Sequence, residues 1–216
     1  MELSSVTAKR IVPVVVIHDT ERAAPLAEAL LAGGLDVIEI TFRTPVSEAA
    51  VKSVVRAFPE MIVGAGTLLT PAQVGRALAA GAQFGVAPGL NPAVLAAARD
   101  IGLPFVPGVM TPTEVEGALA EGCTTLKFFP ASLAGGVEML RALAGPYGQA
   151  GARFIALGGV TPANMTEYLR LPVVAAVGGS WIVEPHLVAA GDWTEVTRRA
   201  QEALEIVASL QHPAEA

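Results

Sequence analysis

Cys123 is the only cysteine in this 216-residue chain, so no internal disulfide can form, and a cytoplasmic compartment is the natural expectation. Histidine is nearly as scarce: His18, His186 and His212 show no metal-ligand spacing, and Cys123 has no nearby histidine to activate its thiol. Cys123 therefore reads as a packing residue and the metal expectation is none. Charged residues make up 16% and the net charge is −6. No dense Lys/Arg stripe is present to follow a phosphate backbone, which excludes a nucleic-acid partner. Long hydrophobic runs are also missing, since each is broken by Gly, Pro or charge before it reaches bilayer length. The opening MELSSVTAKR has no signal-peptide architecture. The expectation is a soluble protein without a membrane partner.

Apolar residues, by contrast, are abundant. At 52% they exclude disorder and fit strands buried on both faces. The length suits a single α/β domain with one large core. Eight short β-rich runs recur: IVPVVVI (11–17), LDVIEITF (35–42), MIVGAGT (61–67), FGVAP (84–88), PFVPGV (104–109), TTLKFFP (124–130), RFIALGG (153–159) and VVAAVGG (173–179). Helical patterns alternate with them near 20–33, 46–57, 71–80, 92–101, 112–120, 136–145, 162–170 and 193–210. Thr44-Pro45, Thr70-Pro71, Asn91-Pro92, Thr111-Pro112 and Thr161-Pro162 each place a capping oxygen before a proline at a helix start. Gly33-Gly34, Gly81, Gly102 and Gly122 stand where helices should stop. Together these predict one α/β domain over 1–216, a (β/α)8 TIM barrel, with a six-stranded doubly wound sheet as the alternative if two strands are miscounted. A short leading helix is expected within 1–9 and a loose tail over 211–216.

In such a barrel the chemistry collects at the carboxyl ends of the strands. Glu39, Thr41 and Arg43 are spaced by two and share one strand face; Thr125, Lys127 and Phe129 share another, with Leu126 and Phe128 pointing toward the helices. Lys127 is the only lysine inside a predicted strand. An amine in an apolar pocket loses hydration, which favours the neutral, nucleophilic form that carbinolamine formation requires. The competing reading is a lysine that snorkels from the strand end or balances a buried carboxylate. Glu39, inside the apolar run VIEI, needs a partner or an altered protonation; it suits proton transfer, or a structural ion pair with Arg43 or Lys127. Arg43 can grip a carboxylate through two parallel hydrogen bonds, or simply open the helix at Thr44-Pro45. Gly158-Gly159 and Gly178-Gly179-Ser180 end the last two strands, where loops of such barrels often present backbone N–H groups to a phosphate. Gly64-Ala65-Gly66 lacks the rest of a dinucleotide fingerprint and reads as a strand that needs small side chains.

The segments AGGLDVIEITFRT, IVGAGTLLTPAQV, AGAQFGVAPGLNP, PFVPGVMTPTE, LKFFPAS, GGVTPANM and VGGSWIV resemble the class I 2-keto-3-deoxy-6-phosphogluconate (KDPG) and 4-hydroxy-2-oxoglutarate (KHG) aldolases over essentially the whole chain. The resemblance implies the same barrel, a keto-acid substrate, a homotrimer and no cofactor. It implies Lys127 as the Schiff-base lysine, Glu39 as general acid/base, Arg43 and Thr67 as holders of the substrate carboxylate, and Gly158, Gly159, Gly179 and Ser180 as the distal phosphate site. Phe129, Leu157 and Pro88 are expected to wall the substrate pocket. Where such enzymes often carry Pro-Thr before the strand-seven Gly-Gly, this chain has Ala156-Leu157. The lyase chemistry is untouched, but the substrate stays open among KDPG, its galactonate epimer and KHG. A phosphate-binding isomerase or synthase, and a non-catalytic sugar-phosphate sensor, are the competing functions.

Overall fold

The computed structural model describes residues 2–211. In chain order the elements are α1 (Leu3–Thr7), β1 (Ile11–Val15), α2 (Ala23–Ala32), β2 (Val37–Thr41), α3 (Ser47–Ala57), β3 (Ile62–Gly66), α4 (Pro71–Ala79), β4 (Phe84–Val86), α5 (Pro92–Asp100), β5 (Phe105–Val106), β6 (Gly108–Val109), α6 (Pro112–Ala120), β7 (Thr125–Phe128), α7 (Gly136–Tyr147), β8 (Arg153–Leu157), α8 (Met165–Leu169), β9 (Val174–Gly179), α9 (Pro185–Ala190) and α10 (Trp193–Gln211). Every strand pairing is parallel, and the strands run in the order β5-β4-β3-β2-β1-β9-β8-β7-β6. The two ends of that order are consecutive pieces of one predicted run, PFVPGV. Pro107, which has no N–H to give a ladder, separates them, while its carbonyl still accepts from the Lys127 N–H at 2.8 Å. Eight strand positions thus form the barrel, and the doubly wound alternative falls away.

Side chains alternate across the barrel wall. Outward residues such as Ile11, Val15, Ile38, Ile40, Leu126, Phe128, Phe154 and Ala156 join the larger core beneath the helices. Inward Val12, Val37, Phe84, Val86, Val106, Ile155, Leu157 and Ala176 form a second, smaller core inside the barrel. Val6 from α1 belongs to this inner core, with Leu3 packed against it. The leading helix therefore stoppers the amino end of the barrel, where β1 to β3 begin.

Thr70, Asn91 and Thr111 cap α4, α5 and α6, the first and last as full capping boxes. Two other expected caps are displaced. Thr44 donates instead to the Ile17 carbonyl at 2.6 Å, and α3 starts three residues later at Ser47. After Thr161-Pro162 the chain makes a turn, and α8 starts only at Met165; Asn164 accepts from the Thr161 N–H at 2.8 Å. The α9 helix has no counterpart in the sequence reading. Gln211 ends α10 rather than opening a tail; the rest of the expected tail and His212 lie outside the described residues. Among the described residues, no helix is long and apolar enough to cross a membrane.

Candidate active site

Lys127 and Glu39 meet inside the barrel mouth. Lys127 projects from β7 and Glu39 from β2, and the Lys127 Nζ donates to Glu39 Oε1 at 3.3 Å. Their side chains are 6% and 2% exposed, the most enclosed ion pair among the described residues. Nζ also lies 5.3 Å from the centroid of the Phe129 ring, close enough for a cation–π contact. Room for the carboxylate comes from β3: a Cβ on Gly66 would fall on Glu39 Oε1, and one on Gly64 would enter the Phe84 ring. GAG is small because its neighbours are not.

Above the pair opens a cavity of about 270 Å³, lined by Val14, Val16, Thr41, Arg43, Lys127, Phe129, Leu157, Gly158, Gly179, Ser180, Val183 and Pro185. The structure thus gathers seven sequence-predicted residues in one wall: Lys127, Arg43, Phe129, Leu157, Gly158, Gly179 and Ser180. Glu39 is not in the wall but hydrogen-bonded behind it. Thr67, Pro88 and Gly159 are not in it either. Thr67 follows β3 with φ 57, a left-handed backbone that a β-branched residue rarely adopts. Pro88 has turned its carbonyl against Gly108, where a Cβ would collide with it. Gly159 (φ 78) directs its carbonyl to the Ser132 hydroxyl and the Asn164 amide, both at 3.0 Å. A larger groove of about 530 Å³ lies between α7 and α8, but it holds none of the buried charges.

Several wall and supporting residues escaped the sequence reading. Val14 and Val16 share the inward face of IVPVVVI and were legible from its alternation. Thr41 was placed on the right face, but its hydroxyl donates to the Val15 carbonyl at 3.0 Å and so ties β2 to β1. Ser47 donates to the Thr41 carbonyl at 2.8 Å and fixes the loop bearing Arg43. Arg43 itself is exposed, and no carboxylate pairs with it among the described residues. Val183 and Pro185 are held by Arg199 of α10, which donates to the Trp181 carbonyl at 2.5 Å and to Glu184 at 2.9 Å. Nothing in SWIVEP announces that anchor, because Arg199 comes from a distant helix. Cys123 packs against the outer core, and its burial, with Glu121 nearby, pushes the thiol up from its ordinary value. That suits packing, not nucleophilic attack.

A family profile described as "Aldolase: KDPG and KHG aldolase" matches residues 3–199. The chain is 46% identical over 198 residues to the 2-dehydro-3-deoxy-phosphogluconate aldolase of Treponema pallidum, covering 92% of this chain and 93% of that protein. It is 43% identical over 202 residues to the KHG/KDPG aldolase of Escherichia coli, covering 94% of each. Among solved structures, the KDPG aldolase of Legionella pneumophila, with pyruvate captured as a covalent carbinolamine, superposes with a TM-score of 0.91 at 41% identity, covering 94% of this chain and 98% of that one. Fold, site and relatives together define a Schiff-base-forming aldolase, an aldehyde-lyase. Within that class, the chain belongs to the KDPG and KHG aldolase family.

Proposed function

We propose that this aldolase cleaves a 2-keto-3-deoxy-6-phosphosugar acid such as KDPG to pyruvate and glyceraldehyde 3-phosphate, 4-hydroxy-2-oxoglutarate to pyruvate and glyoxylate, or both, with Lys127 as its covalent residue. The observation that carries this reading is the enclosed 3.3 Å contact between Lys127 and Glu39 at the base of the cavity. A proton moved to Glu39 frees the amine to attack the C2 ketone. Glu39 returns that proton as the carbinolamine loses water. The resulting protonated imine draws electrons from the C3–C4 bond while Glu39 takes the C4 hydroxyl proton. An aldehyde leaves, the pyruvate enamine is protonated at C3, and water releases it from Lys127. No step calls for a cofactor or a metal.

Arg43, at the mouth and without a carboxylate partner among the described residues, suits the substrate carboxylate through paired hydrogen bonds. Thr67 directly follows β3, whose neighbour β2 leads into the loop bearing Arg43, in line with a shared role. Gly158 lines the cavity, and the positive φ of Gly158 and Gly159 (95 and 78) makes a tight turn at the strand end where glycine lets an anion approach the backbone closely. Gly179 and Ser180 face the same space, which supports a distal phosphate. Replacing Arg43 by alanine is expected to raise KM for the keto acid about 10- to 100-fold, the loss of one charge-assisted contact. Thermal stability should barely change, because the side chain supports nothing else; steady-state kinetics and a melting curve check both halves.

Leu69, Met110 and Leu133, exposed by 51%, 40% and 90%, follow β3, β6 and β7 on one arc of the barrel mouth. An apolar arc of this kind supports association of copies, and a homotrimer is our reading. Sedimentation velocity at micromolar concentration should then return three chain masses. A cytoplasmic setting suits an enzyme whose one thiol is unpaired. The activity is tested by coupling pyruvate release to lactate dehydrogenase, with KDPG and KHG supplied in parallel and with and without a chelator. Release from neither substrate would sink the proposal; chelator-sensitive release would point to metal-assisted cleavage instead.

A further inference from the structure

The cavity has three levels. Lys127 lies at the bottom, paired in register with Ile155 of β8. Gly158, Gly179 and Ser180 form the outer level. Between them stands Leu157, two residues beyond Ile155 on the same inward face and therefore about 6–7 Å further along the strand. Leu157 is 4% exposed and reaches sideways: its Cδ2 lies 3.2 Å from the point a Cβ on Gly178 would occupy, so its methyl group covers the β9 backbone next to the anion loops. Around it the wall is Val14, Val16, Phe129, Val183 and Pro185. Among the described residues, two hydroxyl-bearing side chains line the cavity, Thr41 and Ser180. Thr41 spends its proton on the Val15 carbonyl, and Ser180 belongs to the outer level.

A keto acid bound to Nζ and reaching those loops must run its middle carbons past Leu157. A site that hydrogen-bonds a substrate hydroxyl rejects the analogue lacking it by about 10⁴-fold or more, because its own polar group is left unpaired, whereas an apolar wall discriminates by only about 100-fold. Resting on the aldolase reading above, we propose that Leu157 makes the middle of the site indifferent to the hydroxyl beside the reacting aldehyde. The enzyme then accepts phosphorylated aldehydes that lack this hydroxyl, selecting them by the distal anion and the aldehyde alone. In the condensation direction the pyruvate enamine on Lys127 supplies the electron pair for the new C–C bond. The aldehyde oxygen takes a proton from the Glu39 carboxyl and becomes the C4 hydroxyl. Water then adds to the imine carbon and the Lys127 amine leaves. None of these steps uses the neighbouring hydroxyl.

The test measures condensation of pyruvate with glyceraldehyde 3-phosphate and with 3-oxopropyl phosphate, which lacks that hydroxyl. Wild type, Leu157→Thr and, as a volume control, Leu157→Val are compared. For wild type the two kcat/KM values should agree within about 100-fold. Leu157→Thr should shift the ratio at least tenfold toward glyceraldehyde 3-phosphate, and Leu157→Val should leave it in place. A wild-type preference above that bound overturns the proposal, whatever happens to the variants. If borohydride traps no pyruvate on Lys127 and neither aldehyde condenses, the aldolase reading itself falls. An adduct with strong hydroxyl selection condemns the role of Leu157 alone.

Discussion

Replacing Lys127 by methionine is expected to abolish the pyruvate adduct that borohydride traps and to lower kcat for cleavage by about 10⁴-fold or more. In the proposed mechanism the amine is the atom that forms the bond, and Arg43, the other cation in the cavity wall, cannot take its place because it does not deprotonate under working conditions. Methionine is unbranched and only one atom shorter than lysine, so most of the packing against Phe129 survives. Glu39 does not fare as well, since it is buried and its ionic partner among the described residues is Lys127. Stripping one member of a buried pair costs about 3–5 kcal/mol, which for a chain of this size lowers the melting temperature by roughly 6–20 °C. Adding Glu39→Gln should restore much of that loss without restoring activity, which separates the electrostatic cost from the chemical one. Mass spectrometry after borohydride reduction reads the adduct, and one mapped to another residue would remove Lys127 from the centre of the mechanism.

Glu39→Gln alone should behave differently. The side chain keeps its shape over Gly66 and can still accept from Lys127, so the fold is retained. Proton transfer is lost, which general acid–base catalysis values at about 10²- to 10⁴-fold in rate. The adduct at Lys127 should still form, more slowly, because amine and ketone are both in place. Single-turnover measurements would then show slow dehydration and C–C cleavage with substrate binding preserved. A variant that cleaves at the wild-type rate would make Glu39 a counter-ion and leave the proton transfers to water.

Strand alternation carried Glu39, Arg43, Lys127 and Phe129 in the sequence, the glycine pairs carried Gly158, Gly179 and Ser180, and the family resemblance carried Leu157. Glu39 inside VIEI and Lys127 inside TTLKFFP each fell on an inward face, but the sequence left Glu39 to pair with Arg43 or with Lys127, and the fold pairs it with Lys127. Alternation gives the face, though, not the height or the turn that follows. Thr67, Pro88 and Gly159 were placed at the right strand ends, yet each lies where the backbone has begun to turn away: Thr67 in the left-handed region, Pro88 onto Gly108, Gly159 onto Ser132. Similar reasons explain the fold. The strands were legible because both faces are buried and each reads as an apolar run. The break at Pro107 was not, because PFVPGV is apolar on both sides of it. α9 has only six residues, too few for a helical period to stand out. Threonine-proline pairs start helices at Thr70 and Thr111, while at Thr44 a closer acceptor, the Ile17 carbonyl, captures the hydroxyl.

The α1 stopper has a kinetic meaning. With Val6 and Leu3 filling the amino end, the barrel is a vessel with one door, and in the proposed mechanism everything enters and leaves past Arg43, Leu157 and Ser180. That mechanism keeps pyruvate tethered to Lys127 at the bottom while the aldehyde is freed nearer the opening. The aldehyde must depart before water can reach the imine, so products leave in a fixed order: aldehyde first, pyruvate second.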